Sequence, residues 1–116
     1  MRRGEIWWAS LPEPAGSEPG YRRPLVIIQV DAFNRSLIST VVVAALTSNL
    51  HLGGAPGNVV VSSRLSGLEK KSVVNVSQLL TLDRSFLTER AGRLDRHELL
   101  AVDEGLQRVL GLGPRS

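Results

Sequence analysis

Two junctions in this chain place polar side chains where a loop meets an apolar run. The first reads Gly16-Ser17-Glu18-Pro19-Gly20-Tyr21-Arg22-Arg23-Pro24 and leads into Leu25-Val26-Ile27-Ile28. Glycines let a backbone approach a ligand closely. Pro24 drives Arg23 into an extended conformation at the mouth of the following strand. An arginine held there can grip a phosphate through two parallel hydrogen bonds. The same residues also suit an arginine pair that only keeps a loop soluble, and their types alone leave both readings open. The second junction, Leu46-Thr47-Ser48-Asn49, ends an apolar run in three hydrogen-bonding side chains. Taken alone it is an ordinary strand end.

Other chemistries are poorly served. The chain has no cysteine, which excludes a disulfide, a thiolate nucleophile and a zinc-thiolate site. His51 sits in a glycine-rich stretch and His97 near the start of a helical pattern, and nothing makes them converge. Both read as surface histidines. The carboxylates are scattered, and Asp103-Glu104 reads as a solvated helix face, so neither a metal site nor a cofactor is expected. The formal charge is +3, from 14 basic and 11 acidic residues, a mild bias. The kind of base says more: Lys70 and Lys71 are the only lysines, and the other twelve are arginine. Arginine is the better side chain for bidentate phosphate contacts, so the composition leans toward an anionic partner, a nucleic acid or an acidic protein segment.

The 116 residues argue for one domain over 1–116. No apolar run is long enough to span a bilayer. The basic opening Met1-Arg2-Arg3 is followed by no apolar signal-peptide core before Glu13. The expectation is a cytoplasmic protein with no membrane partner.

The elements that would carry the two junctions follow from hydrophobic period. Gly4 to Leu11, with Ile6, Trp7, Trp8 and Leu11, predicts a first strand; the adjacent tryptophans must point to opposite faces. Leu11 to Arg23 is a long loop. Pro24 to Asp31 predicts a buried strand, Ser39 to Thr47 a third, and Asn58 to Ser62 and Ser72 to Leu82 two more, with a polar loop over Ser48 to Gly57. Asp83 to Leu87 suits one helical turn, and Ala91 to Leu94 a short extra strand. From Asp95 the period is helical, with Leu99, Val102, Leu106, Val109 and Leu110 on one face. Asp95 and Glu98 have the spacing of a capping box, and Gly111, Gly113 and Pro114 stop the helix. The sum is a mainly β, α+β chain: a strongly bent antiparallel barrel or half-barrel with one C-terminal helix across a face or an open end. Open strand edges in so small a barrel favour a homodimer.

Together these stretches resemble the MazF/PemK toxins of bacterial toxin–antitoxin pairs. The similarity runs from Arg3-Gly4-Glu5-Ile6-Trp7-Trp8, through Gly16-Ser17-Glu18 with Arg22-Arg23-Pro24, to Gln29, Asp31 and Asn34 at QxDxxN spacing. It continues in Leu46-Thr47-Ser48-Asn49, Pro56-Gly57-Asn58-Val59, Ser72-Val73-Val74-Asn75 with Gln78, and Thr81-Leu82-Asp83-Arg84. Gly92-Arg93-Leu94 and Leu106 to Leu110 complete it. Each piece is short, but their order and spacing make the match specific.

The resemblance implies a small SH3-like barrel with helices that dimerises and cleaves mRNA at short motifs. It implies two catalytic positions, Arg23, the arginine before proline, and Thr47. RNA supplies its own nucleophile, the 2′-OH, whose attack on the adjacent phosphorus leaves a 2′,3′-cyclic phosphate and a 5′-OH without a metal. Arg23 would stabilise the crowded phosphorane; Thr47 would bind a phosphate oxygen or orient the 2′-OH. Glu18 is a candidate proton acceptor or base contact. Ser17, Glu18, Tyr21, Ser48, Asn49 and Gln78 are the candidate RNA-binding residues, reading unpaired bases on their edges. The implied partners are single-stranded RNA and a cognate antitoxin whose acidic, partly disordered segment folds into the same groove. Pro19, Val30, Ser77 and Leu80 depart from common family residues near the expected groove, so no relative's cleavage motif transfers. Two rival readings keep a barrel and drop the cleavage: a toxin of this fold that binds DNA gyrase, which would not need Arg23 and Thr47, and a non-catalytic SH3-like RNA-binding module.

Overall fold

The computed structural model describes residues 1–12, 21–62 and 64–113. Six strands form one antiparallel sheet: β1 (Glu5–Leu11), β2 (Tyr21–Ile27), β3 (Thr40–Thr47), β4 (Val59–Val61), β5 (Ser72–Asp83) and β6 (Leu87–Arg93). Their spatial order is β4-β5-β3-β2-β1-β6, so the sheet curls with β4 and β6 as its edges. A short helix α1 (Asp31–Asn34) follows β2, and α2 (Arg96–Leu110) closes the chain. This is the mainly β half-barrel with one principal helix that the hydrophobic pattern predicts.

The central strands are buried on both faces, and alternation sorts their side chains into two cores. Ile6, Val26, Ala44, Leu46, Val74 and Val76 join Val102 and Leu106 of α2 in one core. Ala9, Leu25, Ile27, Val41, Val43, Ala45 and Leu82 form the other, with Trp7 packed against it. β5 serves both because its register with β3 jumps between Ala44↔Leu79 and Ala45↔Asn75. The extra residues form a bulge that bends the strand and changes which side chains face each core.

Helix α2 ends as its sequence requires. The Asp95 side chain accepts from the Glu98 N–H while Glu98 accepts from the Asp95 N–H, a complete capping box. Gly111 takes the left-handed conformation at the C-terminus. Glu98 is buried and also accepts from the Ser62 N–H at 3.1 Å, tying the helix to the chain after β4.

Four sequence expectations need correction. β2 starts at Tyr21 rather than Pro24, because Arg22 and Arg23 pair with Ser10 and Ala9 of β1. It stops at Ile27, and Asp31–Asn34 turns into α1, where buried Gln29 and Asn34 bond each other and the backbone. β6 runs from Leu87 to Arg93, longer than Ala91 to Leu94, because an edge strand exposed over Thr88-Glu89-Arg90 carries no apolar alternation to betray it. Val109 and Leu110 are exposed, and α2 instead buries Glu98, Val102, Gly105 and Leu106.

One contact positions the functional end of the sheet. The 3-10 turn Arg64–Ser66 packs on β6 so tightly that a Cβ on Gly92 would lie 2.2 Å from the Leu65 carbonyl oxygen. Across the same contact, a Cβ on Gly67, whose φ is +69°, would lie 1.8 Å from the Ala91 oxygen. Gly92→Ala should therefore cost about 1–3 kcal/mol through overpacking. Gly54→Ala, with nothing within 4 Å of the new methyl, should change stability by less than about 0.5 kcal/mol. Urea titration of the two variants checks the contrast.

Asp31 gives a pH signature. Its carboxylate accepts from the Arg3 N–H at 2.7 Å and the Asn34 amide at 3.2 Å, and the Arg3 bond above all holds its pKa below the ordinary 3.8. A depressed carboxylate stabilises the fold above its unfolded pKa and loses that contribution as pH falls through the folded value. Asp31→Asn should thus lower stability at neutral pH and flatten the loss of stability below 3.8, read from melting temperature against pH.

Candidate active site

The β2–β3 ladder pairs Leu25 with Ala45, Val26 with Ala44 and Ile27 with Val43. Carrying that register two residues further sets Arg23 opposite Thr47. Pro24 stands between, and its nitrogen has no hydrogen to donate. The ladder ends there, and the two strand ends frame a cleft. Arg23 shares the sheet face of Leu25 and Ile27, and Thr47 that of Val43 and Ala45. The apolar residues of this face are buried, so both polar side chains emerge at the mouth of a rigid core.

The cleft has a volume of about 790 Å³ and is lined by Arg23, Thr47, Tyr21, Ser48 and Asn49 together with Trp8, Arg22, Pro24 and Leu46. Trp8 and Leu46 have the opposite strand parity to Arg23 and Thr47, so the cleft wraps around strand ends rather than lying on one face. Its far wall is the segment Gly67-Leu68-Glu69-Lys70 with Ser72, docked on β6 through the glycine contact described above. The Ser72 hydroxyl donates to the Lys70 carbonyl at 3.1 Å, and the Leu68 N–H donates to the Ser66 hydroxyl at 3.1 Å; both brace this wall.

The chain past Thr47 is ordered by its own side chains. The Thr47 hydroxyl oxygen accepts from the Asn49 N–H at 3.2 Å, and the Asn49 side-chain oxygen accepts from the His51 N–H at 3.2 Å. Two nested turns result, followed by a 3-10 turn over Leu50–Gly54. With these acceptor sites used, the Thr47 O–H and the Asn49 amide N–H groups are the donors left to serve a ligand.

On the opposite wall the Arg22 guanidinium lies over the Trp8 ring, 4.4 Å from its centre, and pairs with Glu89 of β6. The cation is thus held over an aromatic face. Trp7, on the other face of β1, packs against the core and donates its indole N–H to Glu5 at 3.0 Å.

Of the sequence-predicted site residues, the structure brings together Arg23, Thr47, Tyr21, Ser48 and Asn49. Gln78 is not among the lining residues; it lies in the bulge of β5, between the paired Asn75 and Leu79. Ser17 and Glu18 lie outside the described residues. His51 and His97 are exposed, as predicted for surface histidines. Asp103 corrects its reading as part of a solvated face: it pairs with Arg3 at 2.5 Å. Sequence reasoning missed Arg22 with Trp8, and the Glu69-Lys70 wall. An adjacent tryptophan pair and the only lysines were visible signals, but what brings them to Arg23 is tertiary.

Tyr21 has φ +61°, the only non-glycine in the left-handed region among the described residues. That conformation costs an L-residue about 1–2 kcal/mol and is worst for β-branched side chains. Tyr21→Asn should keep or raise the melting temperature, and Tyr21→Val should lower stability by about 1 kcal/mol more than any loss in Tyr21→Asn. Thermal unfolding of the pair tests whether strain resides at the cleft mouth.

The family model for PemK-like, MazF-like toxins of type II toxin–antitoxin systems matches residues 2–110. The chain is 44% identical over 112 residues to endoribonuclease MazF6 of Mycobacterium tuberculosis, covering 97% of this chain and 98% of the relative. It is 36% identical over 112 residues to endoribonuclease EndoA of Bacillus subtilis, covering 97% and 96%. The crystal structure of MazF from Deinococcus radiodurans superposes with a TM-score of 0.80 at 26% identity, covering 97% of each chain. A mycobacterial endoribonuclease in complex with its cognate antitoxin has the same fold, with a TM-score of 0.81 at 22% identity over 99% of each chain.

Proposed function

The chain belongs to the PemK-like, MazF-like toxins of type II toxin–antitoxin systems, and from that premise we propose that it cuts single-stranded RNA in the cleft where Arg23 faces Thr47. It is an endoribonuclease, and its partners are RNA and an antitoxin. The observation that carries the placement is the register: two donors of the kind a phosphate needs stand opposite each other where the ladder stops.

The reaction uses the RNA's own 2′-OH. Its oxygen attacks the neighbouring phosphorus, the P–O5′ bond breaks, and a 2′,3′-cyclic phosphate and a 5′-OH result. No metal is needed for that balance. Charge builds on the non-bridging oxygens in the transition state, and a guanidinium fixed beside them stabilises it with two hydrogen bonds. Arg23 does this from a β-strand, so little side-chain travel precedes each turnover. Thr47, its oxygen already engaged by the Asn49 N–H, donates its hydroxyl hydrogen to the same phosphate. Tyr21, Ser48 and the Asn49 amide read or stack on unpaired bases beside it.

The active unit is a homodimer. Phe33, Leu37 and Ile38 between β2 and β3 are large, apolar and exposed, which supports a protein contact over part of this surface. Sedimentation should give twice the 12.6 kDa chain mass.

Arg23→Ala should lower kcat about a hundredfold to a thousandfold with the fold intact. Thr47→Ala should lower it about tenfold to a hundredfold, and Thr47→Ser should recover most of the loss. Wild type should cut a long RNA at a repeated short motif, in excess EDTA, leaving cyclic phosphate ends. A deoxy substitution at the cut nucleotide should abolish cleavage there; continued cutting would overturn the mechanism. Retention of RNA without cleavage would point to a binding module instead.

A further inference from the structure

A second cleft, of about 540 Å³, lies at the opposite end of β1 from Arg23. It is bordered by Arg2, Arg3, Arg90, Arg93 and Arg96, drawn from the N-terminus, β6 and the start of α2. Three carboxylates share the lining, and each is engaged within the fold. Glu5 pairs with Arg90 at 3.0 Å, Asp103 pairs with Arg3, and Asp95 caps α2. The helix terminus is therefore not what would draw an anion, because its capping box already uses it. Among the described residues no carboxylate stands within ion-pair distance of Arg2, Arg93 or Arg96; Arg2 feels Asp31 only at longer range. All three are exposed.

Three exposed guanidiniums around one concavity, with their neighbouring acids spent on structure, suit an anion that carries several separated charges. The proposed substrate is such an anion, and the cleft proposed to hold it shares strand β1 with this one. Glu5 borders this cleft and Trp8, about 10 Å along the same strand, borders the other, which continues onto Tyr21 and Arg23 of β2. A strand held at one end meets the other at a raised local concentration.

We propose that the Arg2–Arg93–Arg96 cleft is a second RNA contact, gripping phosphates of the strand outside the segment being cut. This rests on the RNA-cleaving reading above, and the test separates the two. The probes are a short oligoribonucleotide carrying only the cut motif, and a long unstructured RNA containing that motif with deoxyribose at the cut nucleotide. In the R2A/R93A/R96A variant, cleavage of the short probe should stay within about twofold of wild type. Affinity for the long probe should fall about tenfold, and the slope of log affinity against log salt should drop by about 2, the loss of three single-strand phosphate contacts. The R2K/R93K/R96K variant should keep the slope, which shows that the charge and not a folding defect is being read.

An unchanged long-RNA affinity and slope in the alanine variant would overturn the proposal. So would an equal loss on both probes, which would make these arginines part of the cleavage cleft. Loss of affinity for the antitoxin with RNA affinity intact would overturn it in favour of a protein-facing surface. If wild type does not cut the short probe, the cleavage reading fails; a salt slope on the long probe that drops only in the alanine variant would still support this cleft.

Discussion

Pro24 cannot donate a hydrogen bond, and the β2–β3 ladder stops beside it. Much of the molecule is organised around that interruption. On the far side of it, three residue pairs lock β2 to β3 between two apolar cores, so the strands approach their ends rigidly. On the near side, Arg23 is still held by its pairing with Ala9, while Thr47 is held by Val73 of β5. Each side chain has a partner strand behind it and open space before it. A ladder that continued through this point would have tied the two strands together where a phosphate must enter. A ladder that ended earlier would have left Arg23 on a loop with several rotamers and no fixed aim.

The acidic side chains complete that arrangement by being occupied. Glu5, Glu89 and Asp103 neutralise particular arginines, Asp95 and Glu98 cap α2, and Asp31 accepts from the Arg3 N–H. A net charge of +3 is modest, yet the second cleft gathers Arg2, Arg93 and Arg96 while the carboxylates beside them are engaged within the fold. The Trp8–Arg22–Glu89 stack is the clearest case. An arginine at a cleft wall would ordinarily sample many conformations, and here it sits over a ring and pairs with Glu89.

Features that depend on local chemistry were legible in the sequence. β-branched runs predicted the buried strands, Asp95 and Glu98 predicted the capping box, and Gly111 the left-handed end of α2. Arg23 before a proline and Thr47 at a strand end were visible as candidates, and family resemblance singled them out. What was hidden depends on partners distant in the chain. β6 is polar because it is an edge, so its length was masked. Gln78 is a groove candidate through the family resemblance alone, and its place in the bulge of β5 follows from a register with β3 that no local pattern announces. Asp103 looked like half of an acidic pair until Arg3, a hundred residues away, claimed it. The Glu69-Lys70 wall reaches the cleft only because Gly67 and Gly92 let two backbones touch.

The lining of the cleft divides by what carries each residue. Arg23, Pro24, Leu46 and Thr47 belong to strands whose neighbours are buried, whereas Ser48, Asn49, Glu69 and Lys70 sit on turns beyond those strands. The first group is aimed by strands whose buried residues form the core, so its geometry lasts as long as the core does. Mutations in the second change little except the surface a base would meet. The break in the ladder therefore also divides the site's evolutionary freedom: the grip on the phosphate is inherited with the fold, while the preference for a nucleotide sequence can drift from one descendant to the next.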